Sequence, residues 1–319
     1  MAKNAMSKLP IGFIGQGFIG KSYADDFERR GYKVVRYALE EPYRHNGDKL
    51  KGTKIVFVAV PTPTTPKGFD DSVVRSAIAH APPGSIVVIK STILPGTTAS
   101  IQKQYPDRVV LYSPEFLSEA TAAHDAAHPK RNIIGLAVES PKHSRAAQRV
   151  LSVLPKAPFK LVCKATEAEF IKYGGNNWFY FKVMFINMLY DLVQEYGCDY
   201  DVVRAGMAQD PRVGTSHLIP IHKSGTLGSD NFHLLRNGGR EKRQRGAGGH
   251  CFIKDFAAFS QLYRETLPKD SKGIKVLEAL DAKNIELLIT TGKDLDLLAG
   301  VYGKAVLKKH KSRTHRTKK

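Results

Sequence analysis

Short apolar runs rich in β-branched residues recur through the first half of the chain, at 11–14, 33–37, 54–60, 85–89, 109–112, 132–138 and 159–162. Each is too short for a typical helix, and the pattern predicts strands of a parallel sheet covered on both faces. Between them, 18–30, 70–80, 97–104 and 141–153 carry helical spacing. The last opens on Pro141, where a missing N–H costs nothing. The alternation predicts a Rossmann-like doubly wound α/β domain over residues 1–163.

After Cys163 the strand pattern stops. Residues 166–196 read as one long helix interrupted only by Gly174 and Gly175, and 199–207 as a further short helix. Residues 210–249 form a long loop rich in glycine, histidine and arginine, and helices resume at 251–266 and 273–280. The expectation is an all-helical second domain over 164–303, then a disordered basic tail over 304–319, since 308–319 has no apolar periodicity.

Composition narrows the class. With 319 residues, 42% of them hydrophobic, the chain can bury one or two cores. No run reaches the roughly 18 apolar residues of a membrane span, and residues 1–10 lack the apolar core of a secretion signal, so a cytoplasmic protein without a membrane partner is expected. Three cysteines at irregular spacing suit neither a disulfide framework nor a zinc site, and no metal is expected. The net charge of +19 raises nucleic acid as a partner. The excess is concentrated in the tail and in a loop holding Arg236, Arg240, Lys242, Arg243 and Arg245, without interleaved aromatics, so nucleic acid is not the expected main partner.

The first strand runs directly into Gly15-Gln16-Gly17-Phe18-Ile19-Gly20 and a helix. Gly15 permits a tight turn, Gly17 lets backbone approach a pyrophosphate, and Gly20 lets the helix pack on the strand. The helix N-terminus supplies donors, so the segment predicts dinucleotide binding. An acid that would hold ribose hydroxyls is missing after the second strand, where the chain reads Ala38-Leu39-Glu40-Glu41. Two readings stay open: Glu40 substitutes and the cofactor is NAD, or Arg36 and Arg44 favour the 2′-phosphate of NADP.

Gly246-Ala247-Gly248-Gly249-His250-Cys251-Phe252-Ile253-Lys254-Asp255 is a glycine-rich approach to a cysteine at a helix start. Backbone donors and nearby Lys254 favour the thiolate there, which makes Cys251 a candidate nucleophile. Cys163, in an apolar strand, reads as a packing residue, and Cys198 follows a helix-ending Gly197.

Several separated motifs then agree in order: the glycine turn, Val60-Pro61-Thr62-Pro63, Lys90-Ser91-Thr92 with Pro95-Gly96-Thr97-Thr98, Ser113-Pro114-Glu115-Phe116-Leu117-Ser118-Glu119, Glu169 to Tyr173 with Asn176, Asp210 to Gly214, and Gly248 to Asp255. Over about residues 10–261 the sequence resembles the UDP-glucose and GDP-mannose dehydrogenases. The resemblance implies NAD as cofactor, contacted by Gly15, Gly17, Phe18, Ile19, Gly20, Thr62, Thr92, Glu119 and Lys254. It implies a nucleotide-sugar substrate contacted by Glu115, Phe116, Leu117, Glu119, Lys172, Asn176, Arg212, Gly248 and Gly249. It also implies two successive oxidations of a primary alcohol, with Cys251, Lys172, Asn176, Glu119, Thr92 and Asp255 as the catalytic set. Lys172, or a water held by Glu119 and Thr92, would take the hydroxyl proton; Cys251 would hold the aldehyde as a thiohemiacetal; Lys172 and Asn176 would face the oxyanion. Glu119 would then activate water against the thioester, with Asp255 ordering the surroundings.

Taken singly, Glu115 and Glu119 also suit an acidic pair at a helix start, Lys172 a surface charge, Asn176 a helix cap and Asp255 a helix-start acid. The resemblance further implies a homodimer through the long helix, with Arg212 reaching a neighbouring active site. The chain ends near where such enzymes continue into a third, nucleotide-covering domain, so the basic loop 220–246, with Arg240, Lys242, Arg243 or Arg245, is the expected diphosphate holder. Rival expectations are a two-domain hydroxy-acid dehydrogenase performing one oxidation, and a nucleotide-sugar-binding protein with a degenerate site.

Overall fold

The computed structural model describes residues 10–222 and 244–308; the expectations for Arg236, Arg240, Lys242, Arg243 and for 309–319 lie outside the described residues. The chain divides into two compact units, Met1–Thr62 with Asp70–Tyr173, and Pro63–Phe69 with Gly174–Lys319.

The first unit holds a seven-stranded sheet of β1 (Ile11–Ile14), β2 (Val34–Tyr37), β3 (Ile55–Val58), β6 (Ile86–Ile89), β7 (Val109–Tyr112), β8 (Arg131–Leu136) and β9 (Phe159–Lys164), in the order β2-β1-β3-β6-β7-β8-β9. Every residue of β1, β3, β6 and β7 is buried. That is the burial expected of strands with helices on both faces. The covering helices are α1 (Phe18–Arg29), α2 (Ser72–Ala79), α3 (Thr97–Gln104), α4 (Ala122–Ala127) and α5 (Pro141–Val153). Phe13, Phe27 and Phe57 meet at the centre of one core, with Phe13 and Phe57 stacked at 5.0 Å and Phe27 edge-on to Phe13 at 5.3 Å.

The Rossmann-like expectation holds, with one departure: β7 and β8 pair antiparallel, through Leu111 with Leu136 and Tyr112 with Gly135. The intervening α4 packs against α1 rather than carrying the chain back across the sheet, so β8 returns in the opposite sense. Gly135 also admits the element that follows β9 closely, since a Cβ there would lie 2.6 Å from Cα of Ala165.

That element is α6 (Ala165–Glu195), one continuous 31-residue helix through Gly174 and Gly175. The division between units falls within it, at Tyr173, rather than at its start as the strand pattern suggests. Besides α6, the second unit contains α7 (Tyr200–Ala208), α8 (Gly249–Thr266), α9 (Ser271–Thr291) and α10 (Leu295–Tyr302). It also takes in a small antiparallel pair, β4 (Thr64–Thr65) with β5 (Gly68–Phe69), tied to α8 by a Thr64 Oγ1 bond to the Lys254 carbonyl at 3.0 Å. Tyr180 of α6 stacks on Phe256 of α8 at 3.8 Å within a core shared with Leu277 and Leu287. Two expectations shift here. Helix α9 extends well past 280, capped by Asp270 accepting from the Gly273 amide. Residues 305–308 are helical, and Val306 and Leu307 pack beside Leu298 and Val301, so the basic tail begins later than 304.

Candidate functional site

Parallel pairing in register aligns the last residues of five strands: Tyr37, Ile14, Val58, Ile89 and Tyr112. The segments that follow them therefore emerge along one edge of the sheet, and these carry Gly15 to Gly20, Thr62, Thr92 and Glu115 to Glu119. Ligands of open α/β sheets bind at that carboxyl edge, where the strand order reverses, here beside β1.

The glycine turn has the stereochemistry its sequence predicts. Gly15 has φ of 89°, and a Cβ there would stand 2.2 Å from the Ala59 carbonyl oxygen. A Cβ on Gly20 would lie 2.0 Å from the Gly15 oxygen, so only hydrogen lets α1 close on the turn. Gly17 differs: nothing lies within 4 Å of a Cβ there, no side chain caps α1, and its first turn carries no acid. Backbone donors with open space before them fit a pyrophosphate.

Arg36, the candidate for a 2′-phosphate, is committed elsewhere. Its Nη2 bonds Asp25 at 2.6 Å and Glu28 at 2.8 Å, and Nη1 donates to Gln16 at 3.3 Å. Burial works to lower its pKa, but the hydrogen bonds it donates to Glu28 and Asp25, together with their charges, raise it above the ordinary arginine value. Two carboxylates already neutralise this guanidinium, which argues for NAD. Ala38 is buried and Glu40 exposed.

Lys172 is not a surface charge. It is 5% exposed, and its Nζ donates to Glu115 Oε1 at 2.7 Å and to the Glu115 carbonyl at 2.9 Å. Glu115 is 4% exposed and also accepts from the Leu117 amide at 2.8 Å. Glu119, read as the hydrolytic base, is instead exposed in a short turn at Glu119–Thr121. The carboxylate that meets the lysine is Glu115, because the extended segment after β7 points it inward. Phe116 lies under Arg131, whose Cζ is 3.6 Å from the ring centroid, with Lys172 Nζ at 5.7 Å.

Three supporting residues went without a role in the sequence reading. Ser91 Oγ donates to the Val60 carbonyl at 2.7 Å and accepts from the Val60 amide at 2.9 Å, bracing the segments of Thr62 and Thr92 together. Glu169, fully buried, accepts from the Gly96 amide at 2.6 Å, the Thr98 amide at 2.8 Å and Thr98 Oγ1, fixing α3 to α6. Lys90 is buried with Nζ 3.0 Å from Ser113 Oγ and 4.3 Å from the Tyr23 ring, and burial, partly opposed by Glu115, lowers its pKa to about 7. The position of each in a quoted motif was the only signal.

In the second unit, Asp255 is 1% exposed, accepting from Asn176 Nδ2 at 2.6 Å and Lys254 Nζ at 2.5 Å. Asn176 is therefore no cap and Asp255 no solvated acid; the carboxylate orients an amide within α6. Lys254 spends its charge on Asp255, which weakens its assigned help to the thiolate. Cys251 is exposed in the first turn of α8. Its approach is anchored: Ala247 exchanges two hydrogen bonds with the Asn284 side chain, at 2.7 and 3.0 Å. Arg245 reaches Asp191 at 2.6 Å and Asn187 at 2.9 Å. Arg245 is thus an anchor to α6 rather than a diphosphate ligand. Arg212 pairs with Asp210 at 2.7 Å. Cys163 is half-buried, its thiol pushed up to about 11 chiefly by burial, and Cys198 is exposed after Gly197 at φ 66°.

Residues 43–153 match the NAD binding domain, and residues 166–284 the central domain, of the UDP-glucose/GDP-mannose dehydrogenase family. The UDP-glucose 6-dehydrogenase of Rickettsia bellii is 30% identical over 249 residues, covering 75% of this chain and 51% of that protein. The UDP-glucose 6-dehydrogenase of Pseudomonas aeruginosa is 31% identical over 257 residues, covering 76% and 51%. The chain spans about half the length of these curated relatives. Among solved structures, a UDP-glucose dehydrogenase from Pyrobaculum islandicum superposes with a TM-score of 0.71 at 25% identity, covering 91% of this chain and 72% of that one. The 3-hydroxyisobutyrate dehydrogenase of Mycobacterium tuberculosis shares the fold, with a TM-score of 0.65 at 16% identity, covering 92% and 98%. The chain belongs to the UDP-glucose/GDP-mannose dehydrogenase family, and its first unit carries that family's NAD-binding domain.

Proposed function

We propose that the chain oxidises the primary alcohol of a nucleotide sugar, UDP-glucose or a close analogue, to the uronic acid in two NAD-dependent steps, with Cys251 as covalent nucleophile. The observation that carries this reading is the exposed thiol in the first turn of α8, at the end of an anchored glycine segment. A single alcohol oxidation needs no such group. The glycine turn of Gly15 to Gly20 would hold NAD, which would supply the hydride acceptor for each oxidation.

The residues divide the remaining work. In the first oxidation the alcohol loses a hydride and a proton and becomes an aldehyde. Lys172 donates to a carboxylate and a carbonyl. A side chain held as a donor suits the developing oxyanion better than proton abstraction, so a water near Thr92 and Glu119 is the favoured route for the proton. The Cys251 sulfur then bonds the aldehyde carbon, and Asn176, steadied by Asp255, shares the oxyanion with Lys172. Loss of the second hydride leaves a thioester. Water adds, the sulfur leaves as thiolate, and the acid is released. Glu115 replaces Glu119 as the favoured base for that water, since its carboxylate sits beside Lys172.

The substrate contacts proposed from the resemblance at Phe116, Leu117, Arg212, Gly248 and Gly249, and the cytoplasmic location, belong to the same reading. So does a homodimer through α6, whose Trp178, Phe185, Met188 and Leu192 are exposed at 61, 55, 44 and 57%. Large apolar side chains in such a stripe favour a protein partner over solvent. A second reading, one oxidation of a hydroxy acid, is compatible with the fold the chain shares with the hydroxyisobutyrate enzyme and needs no role for Cys251. Counting NADH per substrate across a panel of UDP- and GDP-sugars separates the two: two support the thiol route, one the alternative.

A further inference from the structure

Helix α8 begins at Gly249, and its N-cap residue is Gly248, which has no side chain to cap it. The cap comes from elsewhere. Asp294 Oδ2 accepts the Gly249 amide at 2.7 Å across 45 residues of sequence. Asp294 is itself the N-cap residue of α10, yet its side chain makes no cap hydrogen bond there, and it sits at φ 50°, one of two non-glycine residues with positive φ among those described. An aspartate at an N-cap ordinarily bonds its own helix from extended backbone. Left-handed backbone at a non-glycine residue is costly and persists where the surroundings require it. Here the left-handed turn lets one side chain serve the start of another helix.

The neighbouring residue acts on the same segment. Lys293 is fully buried, donating from Nζ to the Gly246 carbonyl at 2.9 Å and lying 3.0 Å from His222 Nε2. The α9–α10 turn thus grips both ends of Gly246 to Gly249, two residues before Cys251.

An anion bonded to the first amide of α8 occupies the positive end of that helix, the feature that would stabilise a thiolate at Cys251. We propose that Asp294 is a positioning residue for the nucleophile: it caps α8 in place of Gly248 and, by its charge, holds Cys251 in the thiol form until substrate arrives. This rests on the reading of Cys251 as nucleophile. Among the described residues of the second unit, the other titratable groups around this helix start include His250 and the mutually paired Lys254 and Asp255 on α8, Lys293 in the turn, and His217 and His222 in the preceding segment. Burial lowers the two histidines to about 4 and 3, so both are neutral across the range tested. Lys293 is lowered to about 8 by burial, against the pull of Asp294, and it remains in every variant compared.

The test is the rate of iodoacetamide alkylation of the full chain from pH 6 to 10, read at Cys251 by peptide mapping, with exposed Cys198 as internal control. Asp294→Asn keeps an acceptor for the Gly249 amide and removes the charge. Asp294→Gly accepts φ 50° without strain and guards against a folding defect in the first variant. Both are expected to move the Cys251 midpoint to lower pH and to raise its rate at pH 7 by about 2- to 5-fold, with Cys198 unchanged. A midpoint that stays in place or rises in both variants overturns the proposal. Because alkylation needs no turnover, that result is distinct from failure of the catalytic reading, which shows instead as acid formation persisting in Cys251→Ser.

Discussion

Lys172 Nζ and Glu115 Oε1 lie 2.7 Å apart, each side chain 5% exposed, at the carboxyl edge of the sheet. A buried pair of this kind is sensitive to loss of either partner, since the remaining charge is left without compensation. Lys172→Met is expected to lower stability by about 3–5 kcal/mol in urea unfolding. It should also lower kcat about 100-fold or more, the scale of losing one oxyanion donor. Glu115→Gln keeps an acceptor for the lysine and should lose less stability, while still slowing acid release. Equal stability in Lys172→Met and wild type would remove the pair from the account.

The glycines of the first turn should respond differently to the same change. Gly17→Ala meets open space and is expected to fold normally with NAD affinity reduced at least about 10-fold, because the methyl group takes the room of the pyrophosphate. Gly15→Ala combines positive φ with a 2.2 Å approach to backbone and should fail first in thermal unfolding. Identical behaviour of the two variants in NAD titration and melting would contradict the assigned roles.

The glycine turn was legible because its constraints are local: three glycines, a strand before and a helix after decide the geometry within six residues. Much of the α/β order was legible for the same reason. The identity of the carboxylate beside Lys172 was not. Glu115 and Glu119 share one motif and differ only in which the backbone after β7 turns inward. Asp255 as the partner of Asn176, and Arg245 as an anchor to Asp191, are contacts across dozens of residues that no spacing rule reports. The antiparallel β8 escaped because a strand's apolar run carries no direction.

Lys90 makes stability depend on pH in a predictable sense. Its folded value is about 7 against an ordinary 10.5, so between these values the unfolded chain binds the proton and the folded chain does not. Stability attributable to this group therefore rises with pH from about 7 to 10.5, is lost as pH falls back through that window, and is constant below about 7, where both states are protonated. Urea unfolding of wild type and Lys90→Met at pH 6 to 9 should show wild type gaining on the variant as pH rises. A constant difference would mean that Lys90 is charged in both states.

Arg36 is held by Asp25 and Glu28, which predicts that NAD outperforms NADP in kcat/KM. A preference for NADP, abolished in Arg36→Ala, would reverse the assignment.

The covalent role of Cys251 is tested most directly by counting NADH and carboxylate product from UDP-glucose, with wild type beside Cys251→Ser. The account predicts two NADH per acid formed in the wild type, and no acid from the variant. One NADH per turnover in the wild type, or two with acid still formed by Cys251→Ser, would contradict it.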